Sequence, residues 1–259
     1  MRDWADAVVS LLLAPTCAAC HQPLRHPTRG CVCEVCWDAV PLPLVPQCSR
    51  CGDAWTAPHT LSDDRADNGA ARIATPRRSA VVAACHHCLT VPTSIERARA
   101  IGPYAGSLRE ILHALKYDGR RSLAEPLARR MRLAGGDLLE AADAVVPVPL
   151  HPRRRRERGF NQASDLARHL GLPVVQALAR HKSTPSQTTL HATERHDNMR
   201  AAFGATARLK GLRGTAVVLV DDVRTTGATL DGCALVLKEG GVRAVFALTA
   251  ARVESSRLR

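Results

Sequence analysis

The chain is short of aromatic rings and of lysine, and it has no long apolar run. Only eight of its 259 residues are aromatic: Trp4, Trp37, Trp55, Tyr104, Tyr117, Phe160, Phe203 and Phe246. So few rings weigh against a broad platform for stacking bases. They leave the core to valine, leucine and alanine. Four lysines stand against 32 arginines, a skew that codon usage alone can produce. No apolar stretch approaches the roughly 20 residues of a membrane span. A secretory leader is not expected, because Asp3 and Asp6 spoil a basic start and Pro15-Thr16-Cys17 is a poor cleavage site. Ala7 to Ala14 is expected to form a short amphipathic helix, and the protein to be cytoplasmic.

Hydrophobic residues make up 46% and charged residues 23%, which excludes wholesale disorder. The length suits two modest domains or one large one. The net charge of +12 is unevenly spread. Residues 1–98 balance nine Lys/Arg against nine Asp/Glu, whereas residues 99–259 carry 27 and 15. The second half is therefore expected to attract something anionic, such as phosphates or nucleic acid.

Nine of the ten cysteines precede residue 89, and eight form C-x-x-C pairs: Cys17/Cys20, Cys33/Cys36, Cys48/Cys51 and Cys85/Cys88. Two thiolates at that spacing hold one tetrahedral ion from a single turn, and two such knuckles close a site. One or two structural Zn²⁺ ions are implied. Pairing in sequence order gives Cys17, Cys20, Cys33 and Cys36, then Cys48, Cys51, Cys85 and Cys88; an interleaved pairing is the alternative. Iron–sulfur or thiol redox chemistry fits the repeated pairs less well. Cys31 reads as spare, Cys233 as a core residue, and the flanking histidines 21, 26, 86 and 87 as bystanders. Thr60 to Arg78 has no apolar period and reads as a long excursion between two knuckles.

From about Arg97 the pattern becomes α/β. Leu108, Ile111, Leu112 and Leu115 fall at helical spacing. Ser122 is placed to cap a helix in which Leu127 and Met131 share a face, and Asn161 to cap one carrying Leu166 and Leu170. Ala144 to Val146, Val217 to Val220 and Val242 to Leu248 read as buried strands. Leu230, Cys233, Ala234 and Leu237 mark a helix stopped by Gly240-Gly241. Strands alternating with helices predict a mostly parallel sheet covered on both faces, with ligands at the carboxyl ends of its strands.

The chemistry gathers at Ala216 to Leu230. A hydrophobic strand ends in Asp221-Asp222, and a loop of Thr225, Thr226, Gly227, Ala228 and Thr229 opens a helix. Small residues let a phosphate approach, backbone N–H groups and hydroxyls donate to it, and the helix N-terminus adds a positive dipole. Adjacent carboxylates can accept from a vicinal diol. Upstream, Val148, Pro149 and Leu150 follow a strand and precede an arginine run from Arg153 to Arg158. Guanidinium forks suit a diphosphate; the plain alternative is a solvated basic turn.

The Asp-Asp-Val loop resembles the phosphoribosyl pyrophosphate (PRPP) loop of type I phosphoribosyltransferases over about thirteen residues. Arg224 departs from the common pattern there. The order of Cys33-x-x-Cys-Trp37, Tyr104-x-Gly106, Leu115-Lys-Tyr117, Pro147-Val-Pro149, Arg158-Gly-Phe-Asn-Gln162, Thr184-x-x-Gln187 and Arg195-x-x-Asn198 is similar to the ComF family. The resemblance covers nearly the whole chain. It implies a double zinc ribbon over 1–95, with a long mobile insertion at about 53–83, and a type I phosphoribosyltransferase-like parallel-sheet domain over 96–259. It implies PRPP with Mg²⁺, the 5′-phosphate on Thr225 to Thr229, and the ribose hydroxyls on Asp221 and Asp222. The diphosphate would lie near Val148 to Leu150, under Arg153 to Arg158. Pentosyl transfer from PRPP is the implied reaction, and a role in natural competence the implied setting. The alternative is a non-catalytic accessory protein that binds single-stranded DNA and other proteins of the uptake machinery. No roles are assigned to Thr184, Gln187, Arg195 and Asn198.

Overall fold

A computed structural model describes residues 2–41, 47–53, 84–181 and 202–253. The helices are α1 (Arg2–Leu13), α2 (Glu34–Asp38), α3 (His86–Thr90), α4 (Gly106–Tyr117), α5 (Ala124–Ala134), α6 (Gly136–Glu140), α7 (Pro152–Arg158), α8 (Gln162–Ala167) and α9 (Ala228–Glu239). The strands are β1 (Arg97–Pro103), β2 (Ala144–Pro147), β3 (Leu178–Arg180), β4 (Phe203–Ala205), β5 (Ala216–Arg224) and β6 (Ala244–Arg252). Four of them form a parallel sheet in the order β1-β6-β5-β2, and β3 pairs antiparallel with β4.

Side chains on a strand alternate between the two faces of its sheet. Val218 and Val220 of β5 join Phe246, Leu248 and Ala250 of β6 in a core with α4, α5 and α8. Val217 and Leu219 join Val245 and Ala247 in a second core, with Leu230, Cys233, Ala234 and Leu237 of α9. All of β6 is buried, as the interior strand of a sheet covered on both faces must be. The expected helix faces are buried: Leu108, Ile111, Leu112 and Leu115 in α4, Leu127 and Met131 in α5. α1 covers the expected amphipathic stretch, and Asp6 ties it down by accepting from Thr28 N–H at 2.9 Å.

The cysteine segment covers the free edge of β1. The Ala98 N–H donates to the Arg50 carbonyl at 2.5 Å, which satisfies an edge donor. The fit is tight at two glycines. A Cβ on Gly52, which has φ +70°, would lie 2.7 Å from the Ala98 carbonyl oxygen, and one on Gly102 would lie 2.2 Å from that of Pro41. Buried Cys17, Leu24, Val32, Cys36 and Val40 are continuous with the core under α4 and α5. Arg130 stacks 4.1 Å over Trp37 across the same junction.

Several local expectations change. Ser122 does not cap α5: it lies in a 3₁₀ turn, Arg121–Leu123, and its hydroxyl sits 3.8 Å from Cys31 Sγ. Leu170 is buried beyond the end of α8, which closes at Ala167. The arginine run is helix α7, not a loop. Pro152 starts it, the His151 Nδ1 accepts from Arg153 N–H at 3.2 Å, and Gly159 at φ +77° ends it. The expected mobile insertion falls on 54–83, outside the described residues. No helix among the described residues is long and apolar enough to cross a membrane.

Candidate functional site

The eight paired cysteines gather into two tetrads. Cys17, Cys20, Cys33 and Cys36 form one, and Cys48, Cys51, Cys85 and Cys88 the other, each with its sulfurs within 4.8 Å of one another. Pairing therefore follows sequence order. Cys20 and Cys33 sulfurs are 3.9 Å apart, and Cys51 and Cys85 sulfurs 3.7 Å. Knuckle N–H groups point at the first sulfur of each set: Cys33 N–H donates to Cys17 at 3.3 Å, and Cys85 N–H to Cys48 at 3.2 Å. Burial raises Cys17, but the N–H groups of Cys20, Cys33 and Ala19 outweigh it and bring the thiol to about 6. Burial likewise opposes, and the N–H groups of Cys85, Cys51 and Arg50 outweigh, in lowering Cys48 to about 7. Burial pushes Cys36 and Cys51 up, and Cys88 up to about 12. Four sulfurs, with backbone donors that stabilise thiolate, form a donor set that can hold a tetrahedral soft ion such as zinc. Cys31 stands outside the tetrads and Cys233 is buried in α9, both as expected.

Strand β5 carries the acidic pair further than expected. Asp221 still pairs with Thr249, and the ladder continues to Arg224 opposite Arg252. Extended geometry sends the two carboxylates to opposite faces, so the structure does not aim them at one point. Asp222 faces α4, where its Oδ2 lies 2.9 Å from Lys116 Nζ, with the two side chains 13% and 15% exposed. Asp221 faces α9 and β3. Burial, then the Asp222 charge, pushes it well above the usual carboxylate range, despite the Asp222 N–H at 2.9 Å.

Beyond β5, Thr225 and Thr226 are exposed at the tip of the loop. Gly227 adopts φ +86° at the N-cap of α9, a left-handed turn that glycine makes without strain. Thr226, Gly227, Ala228 and Thr229 thus stand where the first N–H groups of α9 emerge. Asp231, in that first turn, accepts from the Thr93 hydroxyl at 2.5 Å.

Val148 and Pro149, just past β2, are buried, with Leu150 partly exposed. Val148 N–H donates to the Val220 carbonyl at 2.9 Å, so the turn is tied to β5. Asn161 braces it twice, donating to the Val148 carbonyl at 3.0 Å and accepting from Ala163 N–H at 3.2 Å as the expected cap of α8.

Helix α7 separates two basic hollows. One, of about 520 Å³, is lined by Lys116, Tyr117, Arg154, Arg158 and Phe160. The other, of about 830 Å³, is lined by Pro149, Leu150, Phe160, Arg155, Arg156 and Arg180 among others. Burial, then the Arg154 charge, lowers the pKa of Arg180. Of the two arginines singled out from sequence, Arg158 faces a hollow and stacks 5.0 Å from the Tyr117 ring. Arg153 lines neither; its exposed side chain pairs with Glu157 at 2.9 Å.

Lys116 stands in the sequence within the Leu115-Lys-Tyr117 motif, and in the fold in the last turn of α4. Its phase held more: it follows Leu112 by four residues and shares the inward face. Arg224, the departure from the common pattern, turns out to pair with Asp53, two residues past Cys51. Arg252, buried, donates to the Gly52 carbonyl and lies 3.3 Å from Asp53. Thr184, Gln187, Arg195 and Asn198 fall outside the described residues.

A parallel sheet whose central strand runs through an acidic pair into a small-residue loop and a helix defines a phosphoribosyltransferase-type domain. The profile of the phosphoribosyl transferase domain matches residues 156–259. The chain is 32% identical over 241 residues to DNA utilization protein YhgH of Salmonella typhimurium, covering 88% of this chain and 93% of that one. It is 32% identical over 171 residues to Competence protein F of Haemophilus influenzae, covering 62% and 75%. Competence protein ComFC of Bacillus subtilis is 29% identical over 172 residues, covering 64% and 70%. The chain belongs to the ComF family. Among solved structures, orotate phosphoribosyltransferase from Aeropyrum pernix aligns at 18% identity and a TM-score of 0.29, covering 56% of this chain and 76% of that one. That score is too low to bear on function.

Proposed function

We propose that this protein binds PRPP, or the phosphoribose of a nucleotide, at the carboxyl ends of β2 and β5, and serves natural competence and DNA uptake. One observation carries the reading: β5 delivers an acidic pair and then a loop of small residues at the N-terminus of α9, and the braced Val148–Leu150 turn is tied to the same strand at Val220. The 5′-phosphate rests on Thr225, Thr226, Gly227, Ala228 and Thr229. Asp222 accepts from a ribose hydroxyl; strand alternation turns Asp221 to the opposite face, so the two carboxylates do not share one diol. The diphosphate lies along Val148, Pro149 and Leu150, under the arginines of α7. The competence setting rests on the names of the relatives. The chain divides near residue 95 into a double zinc ribbon and the phosphoribosyltransferase-like domain, with structural Zn²⁺ in the two tetrads.

Mg²⁺ is a hard cation that takes oxygen ligands, so it would suit the Asp222 carboxylate and the diphosphate oxygens; when bound it would neutralise leaving-group charge. In transfer, the C1–O bond to diphosphate breaks and its electron pair leaves with the diphosphate. A nitrogen of the acceptor forms the new C1–N bond and gives its proton to water. The Asp222 carboxylate offsets the positive charge that develops at C1. Calorimetric titration of Mg²⁺-PRPP into zinc-loaded protein tests this. Saturable binding that Asp221→Asn/Asp222→Asn abolishes is expected; no binding by the folded wild type overturns it.

The larger hollow supports a second reading, binding of single-stranded DNA. Arg155, Arg156 and Arg180 beside Phe160 offer phosphate contacts and one ring. Affinity for an oligonucleotide should then fall steeply with salt; a flat salt dependence removes this reading.

A further inference from the structure

Lys116 stands between two charged surroundings. On one side is the Asp222 carboxylate at 2.9 Å. On the other is the smaller hollow, whose wall it forms with Arg154 and Arg158. The hollow's one carboxylate, Glu157, is engaged by Arg153 at 2.9 Å. The wall is therefore cationic, and Arg158 is held there by stacking on Tyr117. The Lys116 ammonium also lies 5.9 Å from the Tyr104 ring centroid, and the side chain is 15% exposed. An ammonium on four rotatable carbons can change partner with little backbone motion.

We propose that Lys116 exchanges partners on ligand binding: it leaves Asp222 for the diphosphate of a PRPP-type ligand, held in the hollow with Arg154 and Arg158, and so frees Asp222 for a ribose hydroxyl. This rests on the phosphoribose reading above and adds to it a binding residue on α4, remote in sequence from both loops. The exchange explains why a carboxylate intended for a neutral hydroxyl carries a counter-ion in the ligand-free protein. The ammonium offsets a carboxylate that would otherwise be partly buried and uncompensated. The diphosphate, bearing more charge than one carboxylate, then competes for it.

The test is calorimetry of wild type, Lys116→Met and Lys116→Arg with three probes: Mg²⁺-PRPP, Mg²⁺-pyrophosphate and ribose 5-phosphate. Circular dichroism and zinc content establish that each variant is folded. Lys116→Met should weaken PRPP and pyrophosphate about tenfold or more, the loss of one charge-assisted bond. Ribose 5-phosphate affinity should be unchanged or tighter, because Asp222 is already free. Lys116→Arg should recover part of the pyrophosphate affinity. An equal loss for all three probes assigns Lys116 a structural role and overturns the exchange. So does unchanged PRPP affinity in Lys116→Met, while leaving the phosphoribose reading intact. Wild type that binds neither PRPP nor ribose 5-phosphate overturns both.

Discussion

Asp53→Ala removes the carboxylate that two arginines share. Arg252 is 4% exposed and Arg224 16%, so neither guanidinium can recover its hydration when Asp53 goes. Removing one partner of a fully buried pair costs about 3–5 kcal/mol. An exposed pair costs roughly 0–1 kcal/mol. Asp53 is 33% exposed, and Arg252 retains the Gly52 carbonyl, which places this site between the limits. The expected loss is about 2–3 kcal/mol. For a chain of this size that corresponds to a fall in Tm of roughly 5–10 °C. Urea unfolding of the zinc-loaded protein, followed by far-UV circular dichroism, measures it. Arg224→Met in the Asp53→Ala background should restore part of the loss, because it removes one of the two stranded charges. A change below about 0.5 kcal/mol, the range of an ordinary surface substitution, would refute the reasoning.

Asp221→Asn should stabilise the protein at neutral pH. The raised pKa means that the unfolded chain releases this proton first, so wild-type stability falls as pH rises above about 4, the unfolded value. The variant has no such dependence, and its advantage in thermal melts should vanish below that pH; a variant less stable than wild type at pH 7 contradicts this. Metal analysis should find two zinc ions per chain, and Cys17→Ser or Cys48→Ser should each lower that number by weakening one tetrad. Loss of both ions from one substitution would show that the tetrads are not separate sites. Asn161→Ala removes a helix cap and a brace on Val148, and should cost about 1–2 kcal/mol. Its PRPP affinity should fall as well; unchanged affinity would separate the brace from the ligand.

The buried periodicities were legible and the contact-dependent elements were not. Leu108, Ile111, Leu112 and Leu115 announce α4, and Val217 to Val220 announce β5, because burial of a repeating face determines both. Strand β1 gives no such signal. Its arginines alternate with alanines, and contacts from elsewhere hold them: Arg97 stacks 4.9 Å over Phe246, and Arg97 and Arg99 reach Asp137 at 3.0 and 3.2 Å. Strands β3 and β4 have three residues each, too few to show a period. Helix α7 is polar all round, so its arginines masked it, although Pro152 and Gly159 bracket it with ordinary start and stop signals. At the site, the acidic pair and the loop stand out by residue type. Their opposed directions follow from strand alternation, and that inference needs the ladder to run past Asp222. Lys116 lies 106 positions from its partner Asp222, and Asp53 171 positions from its partner Arg224, and no local pattern connects them.

Those distant partners give the cysteine segment a mechanical place in the fold. Arg224 is the last residue of β5 before the loop, and Asp53 holds it from the turn that supplies Cys48 and Cys51. Arg252, at the end of β6, holds the same turn through the Gly52 carbonyl. Its own carbonyl accepts from Tyr104 N–H at 2.6 Å, just past β1. The carboxyl ends of three adjacent strands are thus fastened to one knuckle. In a parallel sheet that is the end where ligands bind. Short turns such as Cys48 to Asp53 have little hydrophobic burial of their own, so an ion held by the tetrad would give this one a fixed shape. A knuckle fixed in this way holds Asp53, Asp53 holds Arg224, and Arg224 sets where the loop from Thr225 begins. The arginine that departs from the common pattern is therefore the residue through which the cysteine site bears on the loop.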